Sequence, residues 1–277
     1  MACFLKWIVV FFGVLNSLVS AAPELHVANW KKIMARLPDD QRKAVYMTAS
    51  VFHGDVNSSG VFVSPYHVLT TVHAVKTPHC ETMTIKTLVG AGGAEVGPKG
   101  IETGCKQILA IDREFDMMLL RIKSRKPYPH FARLGPDSEP DGRHLNFIST
   151  GYVIDNYFAI SQDCVGKWQR GDDNPLRAIE DGYVSVNEKN LFKGDCHLDR
   201  GMSGGPAFTW ENGLPVLWAI NGSIMISPPT ARDLDSGFRA NANFHLVTNL
   251  LNAYTAEFDE VRAEVTAFET RYGRPTP

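Results

Sequence analysis

The sequence predicts an all-β barrel or sandwich followed by a C-terminal amphipathic helix. Short runs rich in Val, Thr, Phe and Tyr alternate with turn residues such as Asn57-Ser58-Ser59-Gly60 and Ser64-Pro65. Many short strands at this spacing are typical of barrels and sandwiches, and no strand–helix–strand alternation interrupts them. Apolar residues in the tail recur in steps of three and four, which predicts one long helix. These residues are Val247, Leu250, Tyr254, Phe258, Val261, Val265, Phe268 and Tyr272.

The first 21 residues have the pattern of a secretory signal peptide. A basic start ending at Lys6 precedes an apolar run from Trp7 to Leu15, and small residues follow. The apolar run is shorter than the roughly 20 residues that a membrane-spanning helix needs. We therefore expect cleavage near Ser20 or Ala21 and a secreted protein, extracellular or periplasmic, without membrane association after signal removal.

Residues 22–43 are predicted to be an N-terminal arm or a pro-segment. They contain a short helical pattern of apolar residues that ends at Pro38-Asp39-Asp40. A strand-rich run, Ala44–Phe52, comes next and marks the start of the β-rich region.

Composition excludes some partners. The 277 residues are 44% hydrophobic and 21% charged, which is ordinary for a globular protein. Lys+Arg 28 against Asp+Glu 30 gives a net charge of −2, so the chain lacks the basic excess of a nucleic-acid binder. We expect no nucleic-acid partner.

Cys3 lies in the predicted signal peptide and is lost when the peptide is cleaved. Four cysteines remain: Cys80, Cys105, Cys164 and Cys196. An even number in an oxidising compartment predicts two disulfides. Four cysteines allow three connectivities, and we favour Cys80–Cys105 and Cys164–Cys196 because each pair would close one half of the chain. A zinc site is the alternative, but the sequence has no Cys-x-x-Cys pair or His/Cys cluster at ligand spacing. We therefore expect no metal.

The run Gly201-Met202-Ser203-Gly204-Gly205-Pro206 is the most informative motif. A serine hydroxyl is a poor nucleophile at neutral pH, so it needs a base for its proton and amide donors for the developing oxyanion. Glycines around Ser203 allow a close approach of the backbone. The N–H groups of Gly201 and Ser203 are the predicted oxyanion donors.

A histidine and an aspartate occur in settings that suit such a serine. His73 ends a Thr- and Val-rich run at a small-residue turn, and Asp116 opens the apolar run Met117–Ile122. A carboxylate in an apolar strand is costly unless a partner satisfies it. A histidine N–H is the natural partner, because it fixes the tautomer and lets Asp116 stabilise the imidazolium.

These motifs resemble those of the chymotrypsin/trypsin-like serine endopeptidases. The order His73, Asp116, Ser203, the Asp-x-x-Leu-Leu strand and the Gly-x-Ser-Gly-Gly-Pro run all match, and the resemblance covers residues 44–240. It implies two six-stranded antiparallel β-barrels, residues 44–140 and 141–240, with the triad in the cleft between them. Residues 241–277 then form the C-terminal helix and tail.

Details of the second half look more like the bacterial glutamyl-endopeptidase branch than like pancreatic trypsin. Gly151-Tyr152 follows a hydrophobic strand, and the spacing from Cys196 to Ser203 is loose.

The sequence departs from that family at the pocket. Animal trypsin-like enzymes have an aspartate before the nucleophile that pairs with the new amino terminus, whereas Met202 stands here. His197 replaces the aspartate that lies six positions before the nucleophile in trypsin, which argues against simple Lys/Arg specificity. Ile220, Asn221 and Gly222 should line the pocket. Because Ile220 falls where glutamyl endopeptidases have a substrate-binding histidine, Glu preference is also disfavoured.

Two alternatives remain open. An α/β-hydrolase esterase would use the order Ser203, Asp233 or Asp235, then His245, and the Gly-x-Ser-x-Gly pattern fits its nucleophile elbow. However, no βαβ pattern precedes the serine, and Pro206 would interrupt the helix that should follow it. The other alternative is a non-catalytic protease homologue that acts as a secreted binding module.

The sequence therefore predicts a secreted serine endopeptidase. Its partner is a protein or peptide substrate, it needs no cofactor, and it is expected to be a monomer.

Overall fold

The computed structural model describes residues 25–28, 30–75, 78–87, 101–135, 144–153, 157–170, 190–224 and 242–273. The predicted signal peptide and the residues Asp233 and Asp235 lie outside the described residues. The strands are β1 (Leu25–Ala28), β2 (Thr48–His53), β3 (Val56–Ser64), β4 (His67–Thr71), β5 (Met83–Thr87), β6 (Ile101–Asp112), β7 (Met117–Ile122), β8 (Arg133–Leu134), β9 (His144–Tyr152), β10 (Phe158–Arg170), β11 (Asn190–Gly194), β12 (Pro206–Glu211), β13 (Leu214–Ile224) and β14 (Ala242–Leu246). The α-helices are α1 (Trp30–Met34), α2 (Asp39–Met47), α3 (Val247–Ala253) and α4 (Thr255–Tyr272).

The first half forms a closed antiparallel barrel in the strand order β2-β3-β4-β7-β6-β5. Alternating burial on β5 and continuous burial on β4 place apolar side chains inside it. The predicted turn at residues 57–60 lies within β3 instead, where these residues pair with Ala49–Phe52 of β2.

The second half is a larger sheet in the order β1-β10-β11-β14-β13-β12-β9. An additional pairing of β9 with β10 joins six of these strands, β9 to β14, into a ring. The predicted all-β fold with two antiparallel barrels and a C-terminal helix is confirmed. Because β14 completes the ring, the second barrel extends past the predicted boundary at residue 240.

The prediction that a strand begins at Ala44 is wrong, because residues 44–47 belong to α2. Asp39 and Asp40 occupy the first turn of this helix, where their negative charges interact favourably with the positive end of the helix dipole. The helix buries Ala44 and Val45 completely, so apolar residues that looked like a strand serve a helix face instead. Strand β2 begins only at Thr48.

The predicted N-terminal arm packs as part of the folded body. Leu25 pairs with Ser161, which adds β1 to the edge of the second sheet. Ile33, Met34 and Leu37 are buried in the hydrophobic cluster that also contains side chains of both barrels.

Both predicted disulfides are present. Cys80 is bonded to Cys105 within the first barrel, and Cys164 to Cys196 within the second. Each crosslink closes a loop in one half of the chain, as the sequence predicted.

The predicted single C-terminal helix is broken in two at Tyr254. This residue has φ −128° and ψ 56°, outside the helical region, and separates α3 from α4. After the break, α4 returns to the first barrel, where Phe268 packs edge-on against Phe131. Arg121 on β7 pairs with Glu260 and Glu264 of the helix. The last helix therefore binds the first barrel to the end of the second. Among the described helices, none combines the length and hydropathy needed to cross a bilayer.

We expect Phe258→Ala to destabilise the protein by about 3–5 kcal/mol, because its ring is fully buried and truncation leaves a cavity. The measurement is the free energy of unfolding in urea. Asp259→Ala is the matched control, since this neighbour on α4 is exposed and should change stability by less than about 0.5 kcal/mol. Similar losses in the two variants would contradict the packing of α4 described above.

Candidate active site

Three of the predicted site residues come together in the cleft between the barrels. Nδ1 of His73 lies 2.5 Å from Oδ2 of Asp116, and Nε2 of the same ring lies 3.0 Å from Oγ of Ser203. The carboxylate, the imidazole and the hydroxyl thus form one chain of hydrogen bonds. A proton could move from the serine to the imidazole without any rearrangement of these groups.

Backbone geometry fixes the carboxylate. The N–H groups of Val72 and His73 donate to Oδ1 of Asp116 at 3.1 and 2.8 Å. Asp116 itself has φ 52°, a left-handed conformation that aspartate tolerates better than most side chains. It sits between β6 and β7, while His73 follows β4. Because β4 pairs with β7, the two residues meet at one end of the barrel.

Burial and hydrogen bonding act in opposite directions on these groups. Burial raises the pKa of Asp116, but hydrogen bonds from His245 and His73 outweigh it and hold that pKa well below its ordinary range. Burial lowers the pKa of His73, but the hydrogen bond and the charge of Asp116 outweigh it and raise the pKa above 6.5. Asp116 is therefore ionised and His73 is a stronger base than an ordinary histidine.

The serine lies on a tight turn that enters β12. Gly201 has φ 96°, and a Cβ at this position would lie 2.6 Å from the carbonyl oxygen of Tyr152. Gly204 has φ 81°, and a Cβ there would lie 2.3 Å from the carbonyl oxygen of Ser59. Only glycine fits either position without a backbone shift.

Ser59 holds this turn from the first barrel, a role that sequence analysis missed. Its Oγ donates to the carbonyl of Gly201 at 2.7 Å and accepts from the N–H of Tyr152 at 2.7 Å. Its N–H donates to the carbonyl of Ser203 at 2.8 Å. The carbonyls of Gly201 and Ser203 therefore both accept hydrogen bonds from Ser59. Among the described residues, no backbone carbonyl accepts from the N–H of Gly201 or Ser203.

Two predicted pocket residues have a different part in the structure. The Asn221 side chain is fully buried and donates to the carbonyls of Thr150 and Met202, both at 3.0 Å. It also accepts from Ser149 at 2.7 Å, so this amide is fully engaged in holding the turn. Ile220 is fully buried in the sheet.

The other two pocket predictions are placed differently. Gly222 lies beside Ser203, and its carbonyl is 3.3 Å from Oγ of this serine. His197 is exposed, and its backbone N–H donates to Oγ of Ser161. Met202 is fully buried beneath the turn. Its uncharged side chain offers no carboxylate for an amino terminus to pair with.

His245 does not reach Ser203 as the α/β-hydrolase alternative required. Its Nε2 lies 3.2 Å from Oδ2 of Asp116. The all-β fold likewise excludes that alternative, because a nucleophile elbow joins a strand to a helix, whereas Ser203 precedes strand β12. Sequence analysis considered His245 only as the base of that alternative fold, and its contact with Asp116 was not predicted.

One cluster outside the cleft offers ligand atoms suited to a cation. Atoms of His67, Glu260 and Glu264 lie within 4.8 Å of one another. However, the Arg121 guanidinium donates to both carboxylates and already supplies the positive charge. Burial and Arg121 lower the pKa of His67 to about 4, so this ring is neutral at physiological pH.

The chain matches the family model described as "trypsin-like peptidase domain" over residues 58–216, which is more than half of its length. The matched segment contains His73, Asp116 and Ser203. No curated protein matches the chain significantly.

Solved structures of proteases share the fold at low identity. The apo protease domain of MamO from Magnetospirillum magneticum is 17% identical, with a TM-score of 0.52 over 76% of this chain and 97% of that one. The Rv3671c protease of M. tuberculosis H37Rv, in an inactive form, is 16% identical, with a TM-score of 0.54 over 85% and 98%. Deg5 is 14% identical, with a TM-score of 0.53 over 77% and 90%.

We expect Ser59→Ala to destabilise the protein by about 1–3 kcal/mol, because it leaves the part-buried Gly201 carbonyl and the buried Tyr152 N–H without their side-chain partner. Urea unfolding measures the loss. Ser58→Ala is the matched control on the same strand, since among the described residues its hydroxyl bonds only to the carbonyl of Val51. A larger effect of the control would contradict the role given to Ser59.

Proposed function

We propose a catalytic function for this chain. The proposal starts from a finding: the chain belongs to the trypsin-like peptidase family. We infer that it is a serine endopeptidase that hydrolyses peptide bonds through an acyl-enzyme. The observation that carries the proposal is the continuous contact from Asp116 through His73 to Ser203.

In this mechanism Oγ of Ser203 attacks the scissile carbonyl carbon while Nε2 of His73 takes the hydroxyl proton. The carbon–nitrogen bond then breaks, and His73 gives the proton to the leaving amine. In the second half His73 takes a proton from water, which attacks the acyl carbon. The bond from that carbon to Oγ of Ser203 then breaks, His73 returns the proton to the serine, and the carboxylic acid leaves. Asp116 stays ionised throughout and stabilises the imidazolium, which agrees with the low pKa of its carboxyl group.

The oxyanion would be held by the N–H groups of Gly201 and Ser203. Ser59 supports this role, because it engages the carbonyls of the same two residues and so fixes the turn. Donors fixed before the reaction need no reorganisation when the negative charge develops.

The resting serine hydroxyl has two possible acceptors. It lies 3.0 Å from Nε2 of His73 and 3.3 Å from the carbonyl of Gly222. Attack requires the first of these hydrogen bonds, because only the imidazole can remove the proton.

Secretion is part of the proposal and rests on the signal-like N terminus and the two disulfides, which persist in oxidising compartments. The relation to the glutamyl-endopeptidase branch stays a prediction. At the positions that select charged substrates in related enzymes, His197 is exposed and Ile220 is fully buried. We therefore propose that the pocket favours neither Lys/Arg nor Glu.

We expect Ser203→Ala to lower peptide hydrolysis on the order of 10⁴-fold or more, because the variant has no nucleophile. The measurement is hydrolysis of a mixed peptide library, together with labelling by a fluorophosphonate. Ser124→Ala is the matched control, since this serine is partly exposed and, among the described residues, its hydroxyl bonds only to nearby Lys126. If the folded wild-type protein neither cleaves nor becomes labelled at Ser203, the alternative of a non-catalytic binding module is favoured.

The pH dependence follows from His73, which must be neutral to accept the serine proton. Since its pKa is raised above 6.5, kcat/KM should fall as the pH decreases through a midpoint above 6.5. Asp116 does not titrate in this range. The measurement is kcat/KM against pH for one peptide from the library. A midpoint well below 6.5 would contradict the assignment of His73 as the base.

A further inference from the structure

A second histidine reaches the carboxylate of the proposed triad. Nε2 of His245, on β14 of the second barrel, lies 3.2 Å from Oδ2 of Asp116. Nδ1 of His73, in the first barrel, lies 2.5 Å from the same oxygen. Because Oδ1 already accepts from the N–H groups of Val72 and His73, the two imidazoles share Oδ2.

The strand geometry directs His245 to this position. Phe244 and Leu246 belong to the hydrophobic cluster inside the second barrel. Side chains alternate along a strand, so His245 points to the other face, toward the first barrel. Its side chain is 4% exposed, and that of Asp116 is 6% exposed. Water therefore does not screen the contact.

The surroundings of His245 offer little other charge. Its register partner on β13 is Ile220, whose side chain is apolar and fully buried. Within the described part of the chain, Asp116 is the charged side chain within ion-pair distance of His245, and His73 is the other titratable group at that oxygen. A carboxylate only accepts hydrogen bonds, so Nε2 of His245 carries the hydrogen.

We propose that His245 is a positioning residue of the proposed peptidase, which limits how strongly Asp116 binds protonated His73 by donating its own Nε2–H to Oδ2. The inference rests on the proposed function. The N–H dipole points its positive end at the oxygen beside which the His73 imidazolium forms. It stabilises the carboxylate and opposes a second positive charge at the same atom. His73 consequently stays neutral, and able to accept the serine proton, to a lower pH than it would beside Asp116 alone.

The test compares two variants at residue 245. His245→Leu removes the donor and keeps an apolar volume, whereas His245→Gln keeps an N–H at a similar reach but does not titrate. The measured quantity is the second-order rate constant for fluorophosphonate labelling of Ser203 across the pH range, which needs His73 as base but no knowledge of the substrate. Phe244→Leu is the matched control, since it perturbs β14 from the face that does not contact Asp116.

We expect the labelling midpoint of His245→Leu to move upward by about one pH unit. At neutral pH labelling should slow by up to about tenfold, because less His73 is neutral, and it should recover at alkaline pH. The glutamine variant and Phe244→Leu should keep the wild-type midpoint. If the leucine variant does not fold, His245→Val takes its place with the same expected result.

Several results would overturn the proposal. An unmoved midpoint in the leucine variant, or an equal loss of rate at every pH, would leave His245 with a packing role only. A glutamine variant that behaves like leucine would exclude the donor role.

A second readout separates this proposal from the proposed function. The His73 ring can be titrated by NMR in ¹⁵N-histidine-labelled protein, without any reaction at Ser203. If the wild-type protein is never labelled, the proposed function fails. The NMR titration still decides the role of His245, because an equal His73 midpoint in wild type and His245→Leu would refute it.

Discussion

The structure of the cleft depends on one buried negative charge, the carboxylate of Asp116. A buried carboxylate is costly unless donors replace the water that it loses. Four N–H groups do so, two from the backbone at Val72 and His73 and two from the imidazoles of His73 and His245. Three of these donors belong to the first barrel and one to the second. The charge is thus fully satisfied only when the barrels are docked, which links the integrity of the site to that of the fold.

A reciprocal set of contacts crosses the cleft in the other direction. Ser59 of the first barrel engages the carbonyls of Gly201 and Ser203, while Asn221 holds the same turn from within the second barrel. Neither side chain takes part in the proposed reaction. Both are nevertheless needed, because the turn carries two glycines with positive φ and has little conformational preference of its own.

Local patterns in the sequence were sufficient for the barrel fold and the grouping of His73, Asp116 and Ser203, since each of these leaves a motif or a periodicity. The disulfide pairs left no such pattern and were favoured only because each closes one half of the chain. Roles that depend on distant partners left no such signal. Ser59 is 142 residues from Gly201 and read as part of a turn. The helix α2 was missed because Val45 and Tyr46 are also good strand formers, and only packing against the core decides between the two. For His245 the residue was found but its partner was not, because chain order does not specify which barrel face a side chain occupies.

The return of α4 onto the first barrel also has a consequence for biosynthesis. The ribosome makes the first barrel before it makes the helix that packs against Phe131 and pairs with Arg121. The covering layer of this barrel is therefore missing until translation has passed residue 272. A nascent chain that pauses before residue 255 would carry Ser203 and His73 on an incompletely covered scaffold, so the finished cleft requires the chain through α4.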